Sequence, residues 1–235
     1  MFRDYIYLDT DRINRYATKI KVQKVELQQG EENEAEEMLF EEFEYKLEQE
    51  HLDKDFIEIP FEKEDFINRI QRQMLIRFES KLLIPEEFGQ VEFIKNVLSN
   101  EHVKDHLSQL LSEDDKSMPK EFISSLIRDR GSVPVYFELG EYKVCSNLQG
   151  KYFRNIEYAE FEENVQEEVI VIAKVDSICK VDKDIILYNI YKDLLGLSRE
   201  MRRSFTGKDK SKNDIPEEIQ IYGKEMRVSI LAIYK

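Results

Sequence analysis

The residues through which this 235-residue chain could do chemistry are three histidines, two cysteines and a few spaced carboxylates. His102 and His106 stand four apart in His-Val-Lys-Asp-His, a spacing that on a helix can turn both imidazoles toward one metal ion. The glutamate that activates zinc-bound water is missing from that motif, and His51 belongs to another element. The pair reads first as exposed histidines on a solvated helix face. Asp9-Thr-Asp11 ends an aromatic stretch. Carboxylates at a strand-to-helix junction can hold a metal or substrate at a sheet edge, but their commoner work is capping the helix. Asp129 with Glu138, Glu141 and Lys143 has the residue types of a Mg²⁺-dependent phosphodiesterase. Its Glu-Tyr-Lys triplet begins at a turn rather than within a strand, which is a poor match.

One basic island, Arg199, Arg202, Arg203, Lys208, Lys210 and Lys212, surrounds Ser204-Phe-Thr-Gly207. It has the charge to meet phosphates, a nucleotide or an acidic protein face, and its plain reading is a solvated loop. The opposite bias lies at 31–50, with ten Glu and one Lys. Ala35, Leu39, Phe43 and Leu47 recur there every four residues, flanked by Met38 and Phe40, so the segment is an amphipathic helix with an acidic outer face. Glu repeated at i, i+4 weakens a helix, so packing of the stripe has to hold it. That face is a solvated surface, a docking surface for a basic partner, including the 199–212 island of a second copy, or a mimic of nucleic-acid charge. No Gly-rich phosphate loop, Gly-x-Ser-x-Gly elbow or Cys-x-x-Cys pair occurs. No catalytic residue and no cofactor are assigned.

Composition bounds these options. Hydrophobic residues make up 41% and aromatics 11%, a globular mixture able to bury a sizeable core. A net charge of −14 repels nucleic acid and anionic membrane, so nucleic acid could be met only through the 199–212 loop. No run approaches the length of a membrane span. Arg3 and Asp4 leave no secretory apolar region, so a cytoplasmic protein with reduced, buried Cys145 and Cys179 is expected.

The elements that must position these residues follow from periodicity. Tyr5-Ile-Tyr-Leu8 has strand composition, and Ile13, Tyr16, Ala17 and Ile20 form one face of a short helix. Residues 20–28 fit helix or strand. Asp55–Pro60 is an edge strand or connector. Helices are expected at 66–83, 91–98, 103–111 and 122–127, which with 31–50 makes 31–130 a helical block. Val133–Val144 alternates around Gly140-Glu141 as a hairpin, and Glu168–Val175 is an apolar strand. A helix is expected over 185–195, and a hairpin turning at Gly223 between 218–222 and 226–234. Helices followed by a hairpin also fit a winged helix, with 119–130 as recognition helix. Ten acids against six bases between Glu86 and Arg130 give it the wrong sign for DNA.

Arg3-Asp-Tyr-Ile-Tyr-Leu-Asp9 with Asn14 on the following helix resembles the opening of an uncharacterised bacterial family of unknown function. Val169–Val175 and Leu231-Ala-Ile-Tyr234 are similar to that family's C-terminal part. The resemblance implies no catalytic residues, and it implies gene neighbourhoods near mobile elements and phage-defence loci. The expected fold is α+β: one mixed or antiparallel sheet joins the N- and C-terminal strands, with a helical block inserted. Residues 1–30, 31–130 and 131–235 are its parts, integrated into one domain. The expected function is a non-enzymatic protein-interaction or regulatory module of the bacterial cytosol, with a protein partner or a second copy. The alternative is a nucleotide- or small-ligand-binding protein or metal-dependent phosphodiesterase using Asp9, Asp11, Arg202 and Arg203.

Overall fold

The computed structural model describes residues 3–19, 32–49, 56–59, 69–91, 132–154, 163–189, 192–193 and 218–235. Its elements in chain order are β1 (Tyr5–Leu8), α1 (Thr10–Lys19), α2 (Glu32–Gln49), β2 (Phe56–Ile59), β3 (Leu75–Lys81), β4 (Val133–Leu139), β5 (Tyr142–Leu148), β6 (Glu168–Asn189) and β7 (Glu218–Tyr234). The architecture is α+β, and its strands form one seven-stranded mixed sheet. Along it the order is β2-β3-β6-β7-β5-β4, with β1 on β7.

β7 organises this sheet, because its alternating apolar sequence gives it partners on both edges. β6 runs antiparallel beside it from Ile170↔Tyr234 to Asn189↔Glu218. On the other edge β1 pairs antiparallel with Ala232–Tyr234, and β5 pairs parallel with Lys224–Arg227. The two ends of the chain therefore meet as expected, and Asp4 and Lys235 exchange backbone hydrogen bonds of 3.3 and 3.0 Å.

The sheet also curls back on itself. Leu83, just past β3, exchanges hydrogen bonds of 3.1 and 2.9 Å with Tyr136 of β4, and Ser80 Oγ donates to the Glu138 carbonyl at 3.0 Å. β3, β4, β5, β6 and β7 thus form a ring in the order β3-β4-β5-β7-β6, whose only parallel neighbours are β5 and β7. This is a five-stranded, partly open Greek-key barrel with the connectivity of the OB type. Alternate residues fill its interior, among them Ile76, Phe78, Val135, Phe137, Val144, Val171, Ala173, Val228 and Ile230. A second apolar layer lies between the outer face of the sheet and the helices, where Leu39, Phe40, Phe43 and Leu47 meet Tyr5, Leu8, Leu75, Ile172, Leu231 and Tyr234. β1 is buried on both faces, with Ile6 and Tyr7 in the first layer and Tyr5 and Leu8 in the second.

Several elements differ from expectation. The helix expected at 66–83 is, over Leu75–Lys81, strand β3. Ile76 and Phe78 also fit a two-residue alternation, and pairing with β6 decides between the periods. Ile185–Asn189 closes the 22-residue β6 rather than opening a helix, because Glu218–Ile221 offers it a partner. Gly223 makes no turn: it is an interior residue of β7 at φ +148°. The 31–130 segment accordingly carries β2 and β3 as well as α2. Of the helix expected at 91–98 only Val91 is described, and it is helical; residues 20–31, the helices expected at 103–111 and 122–127, and the recognition helix at 119–130 lie outside the described residues.

One polar node crosses the apolar layer beneath α2. Glu44, 1% exposed, accepts a 2.6 Å hydrogen bond from Tyr234 Oη. It also pairs with Arg3, whose guanidinium lies 4.8 Å from the centre of the Tyr234 ring, and with Arg77 Nε at 3.6 Å. Burial, reinforced by Glu44, pushes the Tyr234 phenol well above its usual range. Glu44 stands four residues after Phe40 and three before Leu47, on the buried stripe of the helix. Replacing it with alanine strands buried partners, which for a buried ion pair costs about 3–5 kcal/mol. Glu44→Gln, which keeps an acceptor for Tyr234, should cost less. Urea unfolding checks both, and a Glu44→Ala loss below about 1 kcal/mol, typical of a surface pair, would contradict the buried node.

Candidate functional site

Asp9 and Asp11 sit where β1 turns into α1, and the structure gives them separate tasks. Asp9 is 1% exposed and caps α1: its Oδ1 accepts from the Arg12 backbone N–H at 3.0 Å, and its Oδ2 lies 3.2 Å from Arg12 Nε. Arg12 continues to the Ile230 carbonyl at 3.2 Å, and the Asp9 backbone N–H donates to Leu231 at 2.8 Å. The cap is thereby tied to β7. Asp11 faces solvent and fastens the single turn Gly150–Tyr152, accepting from Tyr152 Oη and from Lys151 Nζ at 3.1 Å. The Tyr152 ring in turn meets Tyr7 edge-on, with centroids 6.0 Å apart. The two carboxylates have different hydrogen-bond partners, while the charge of Lys151 acts on both. No group of carboxylate, His or Cys side chains able to hold a metal occurs among the described residues.

The hairpin carboxylates also part company. Glu138 pairs with Lys143 on the neighbouring strand, whereas Glu141 pairs with Lys224 of β7. Asp129, His51, His102 and His106 lie outside the described residues, as do Arg199, Arg202, Arg203, Lys208, Lys210 and Lys212. The basic run falls in the connection between β6 and β7.

Two features escaped the sequence reading. On β7, Glu225 is 7% exposed between Lys183 Nζ at 2.5 Å and the Arg227 guanidinium. Burial opposes its charge, and the two cations outweigh burial, so its carboxyl is held below the usual range. Beside this cluster Cys145 is fully buried, and burial pushes its thiol up to about 12, while Cys179 is half-buried. The charged run Lys180-Val-Asp-Lys-Asp184 was the available signal. The other feature is on α2. Met38, expected beside the buried stripe, is 55% exposed, and Tyr45 is 62% exposed. Seven residues apart, they lie on one line of the helix about 10 Å from each other. Glu41 is exposed between them, and Glu42 pairs with Lys46 at 3.3 Å.

No helix among the described residues is long and apolar enough to cross a membrane. In comparisons with protein-family models, curated proteins and solved structures, no match to the chain was found.

The different surroundings of the two N-terminal carboxylates have opposite titration signs. Burial, only partly offset by Arg12, raises the pKa of Asp9. Its charged form is less favourable folded than unfolded, so its contribution to stability falls as pH rises from the unfolded to the folded pKa. The hydrogen bond from Tyr152, aided by Lys151, lowers that of Asp11. Its contribution is present above the unfolded pKa and is lost as pH falls through the folded one. Carboxyl ¹³C shifts followed by NMR should place the Asp9 midpoint above that of a model aspartate and the Asp11 midpoint below it. The reverse order would refute the two environments. Asp9→Ala removes the cap and should cost about 1 kcal/mol in chemical unfolding, more than Asp9→Asn.

Proposed function

We propose that the protein is a non-enzymatic protein-interaction module of the bacterial cytosol, linked to phage defence or mobile elements as the resemblance implies. Its docking surface is the outer face of α2. The observation that carries this reading is the exposure of Met38 and Tyr45 on the most acidic stretch of the chain. An exposed aromatic and an exposed methionine supply the apolar anchors that interfaces favour. The surrounding glutamates select a basic partner and steer its approach. The partner is a protein segment with Lys or Arg flanking an apolar stripe, and a second copy presenting its 199–212 island has that charge. The polar groups at the N-terminal junction have capping and fastening roles, which favours this reading over catalysis there.

The test compares the wild-type chain with a Met38→Ala/Tyr45→Ala variant as bait in a bacterial lysate. Fold stability should stay within about 0.5 kcal/mol, as for ordinary surface changes. Loss of the aromatic anchor should weaken binding about 30-fold, a hot-spot-sized effect of about 2 kcal/mol. Bound protein should also elute as salt shortens the Debye length. Equal retention by both baits, insensitive to salt, would overturn the reading. Sedimentation of the protein alone at low and high salt tests the second copy as partner.

One observation favours a second reading, a nucleotide- or small-ligand-binding protein or metal-dependent phosphodiesterase. Barrels with this connectivity bind oligonucleotides and oligosaccharides, although fold alone does not give function. In the sequence, the connection between β6 and β7 carries the basic run. A thermal-shift screen against nucleotides and divalent metals separates the two readings. A ligand at a hundred times its Kd would add about 2.7 kcal/mol of stability and displace the interaction reading from first place.

A further inference from the structure

The large apolar side chains left exposed among the described residues fall into two groups. Met38 and Tyr45 lie on α2, and Val181, Ile186 and Tyr222 lie on the paired ends of β6 and β7. Those ends form a ribbon that bends at Gly223, where three β6 residues stand against Lys224 alone. The Arg227 guanidinium donates to the Ile186 carbonyl across the bend. The inner face of the ribbon is firmly anchored. Ile185 and Leu187 pack on Cys145, while Tyr188 and Ile219 are buried in the barrel core. The Tyr188 ring meets Phe88 edge-on, with centroids 5.2 Å apart. Among the described residues nothing covers the outer face, where Tyr222 is 67% and Val181 70% exposed.

Tyr222 stands opposite Asp184 and Gln220 opposite Ile186, so Tyr222 and Ile186 are diagonal neighbours about 8 Å apart. Met38 and Tyr45 are about 10 Å apart along α2. Each surface therefore offers two apolar anchors at similar spacing, one of them a tyrosine. Their charges differ. Glu41 is exposed between the α2 anchors, within a stretch of ten Glu and one Lys. On the ribbon, exposed Lys180 and Lys183 alternate with Asp182 and Asp184 around Val181. The sequence that connects its two strands adds six cations at 199–212 against Glu200 and Asp209. An apolar stripe with basic flanks is what the α2 surface calls for.

The two surfaces cannot meet within one chain. α2 rests on Ile172, Leu231 and Tyr234, and the ribbon lies beyond Lys224. From Ala232 to Lys224 is eight positions, about 26 Å of strand. The geometry points to a second copy as the partner: α2 of one copy docks on the outer face of the next copy's ribbon, with Met38 and Tyr45 against Ile186 and Tyr222. This rests on the reading of α2 as a docking surface and supplies the apolar half of its partner. The contact joins unlike surfaces, so each copy offers one of each and assembly runs head to tail.

The test uses the full chain as wild type, as Met38→Ala/Tyr45→Ala, and as Ile186→Thr/Tyr222→Thr, which keeps strand-forming residues in the ribbon. Sedimentation should show the wild type associating beyond the monomer, and each variant doing so at least tenfold more weakly. An equimolar mixture of the two variants should form a dimer that neither forms alone. One intact α2 then meets one intact ribbon, and no third copy can add. Association that survives in either variant, or a mixture that stays monomeric, overturns the proposal. A monomeric wild type that still captures a lysate partner through α2 refutes the second copy and leaves the α2 reading standing. Loss of that capture as well refutes both. Should a variant fail to fold, carbodiimide coupling of a ¹⁴N/¹⁵N mixture of wild-type protein decides. Mixed-isotope peptides should join Glu41 to Lys180 or Lys183, and their absence refutes the contact.

Discussion

A strand held on both edges cannot shift without breaking two ladders at once, and β7 is so held for much of its length. The barrel depends on it, because β7 joins the β6 side to the β5 side. The helical layer depends on it too: Leu231, Ala232 and Tyr234 form the floor on which α2 rests. Tyr234 adds a polar anchor through Glu44, which prevents α2 from sliding along an otherwise uniform apolar floor. Hydrophobic burial supplies most of the energy in such a contact but little direction. A buried hydrogen-bonded charge supplies direction and tolerates little displacement.

The acids of this chain are divided by that constraint. Glu44 turns inward, Glu225 is enclosed by two cations, and Asp9 caps a helix. Glu41 and its neighbours on α2 stay in water, where their charge contributes little to the fold and much to the long-range field. The inward acids fix the structure, and the outward acids determine which partners can approach. A rigid helix on a fixed floor presents Met38 and Tyr45 with little entropy left to lose on association.

Much of this was legible in residues whose local and long-range preferences agree. Tyr5–Leu8 and Leu231–Tyr234 are strand-like wherever they are placed, and they pair. The Leu39, Phe43, Leu47 stripe admits only a helix, and Asp9 caps as its type suggests. Legibility failed where two periods overlapped. Phe78 belongs to a four-residue repeat with Met74 and to a two-residue repeat with Ile76, and only the distant β6 decides between them. Gly223 carries the usual mark of a turn, but its freedom serves a bend within a strand. Glu44 was hidden among nine other glutamates, although its place beside Phe40 and Leu47 was the available clue. The partners of Asp11 could not be read locally, because Lys151 and Tyr152 are 140 and 141 residues away in the chain.

The meeting of β1 with β7 also imposes an order of events on a growing chain. Tyr5 is synthesised more than two hundred residues before its partner Tyr234, so the first strand emerges long before its place exists. The β4–β5 hairpin and the long β6 can pair locally or with strands already made. β1 joins by closing the longest loop in the molecule, which is the slowest kind of contact to form. Until then its four apolar residues and the buried stripe of α2 have no sheet to cover, a state prone to association. Docking of the N-terminal segment therefore waits for β7, and until then the chain carries apolar surface that the finished fold covers.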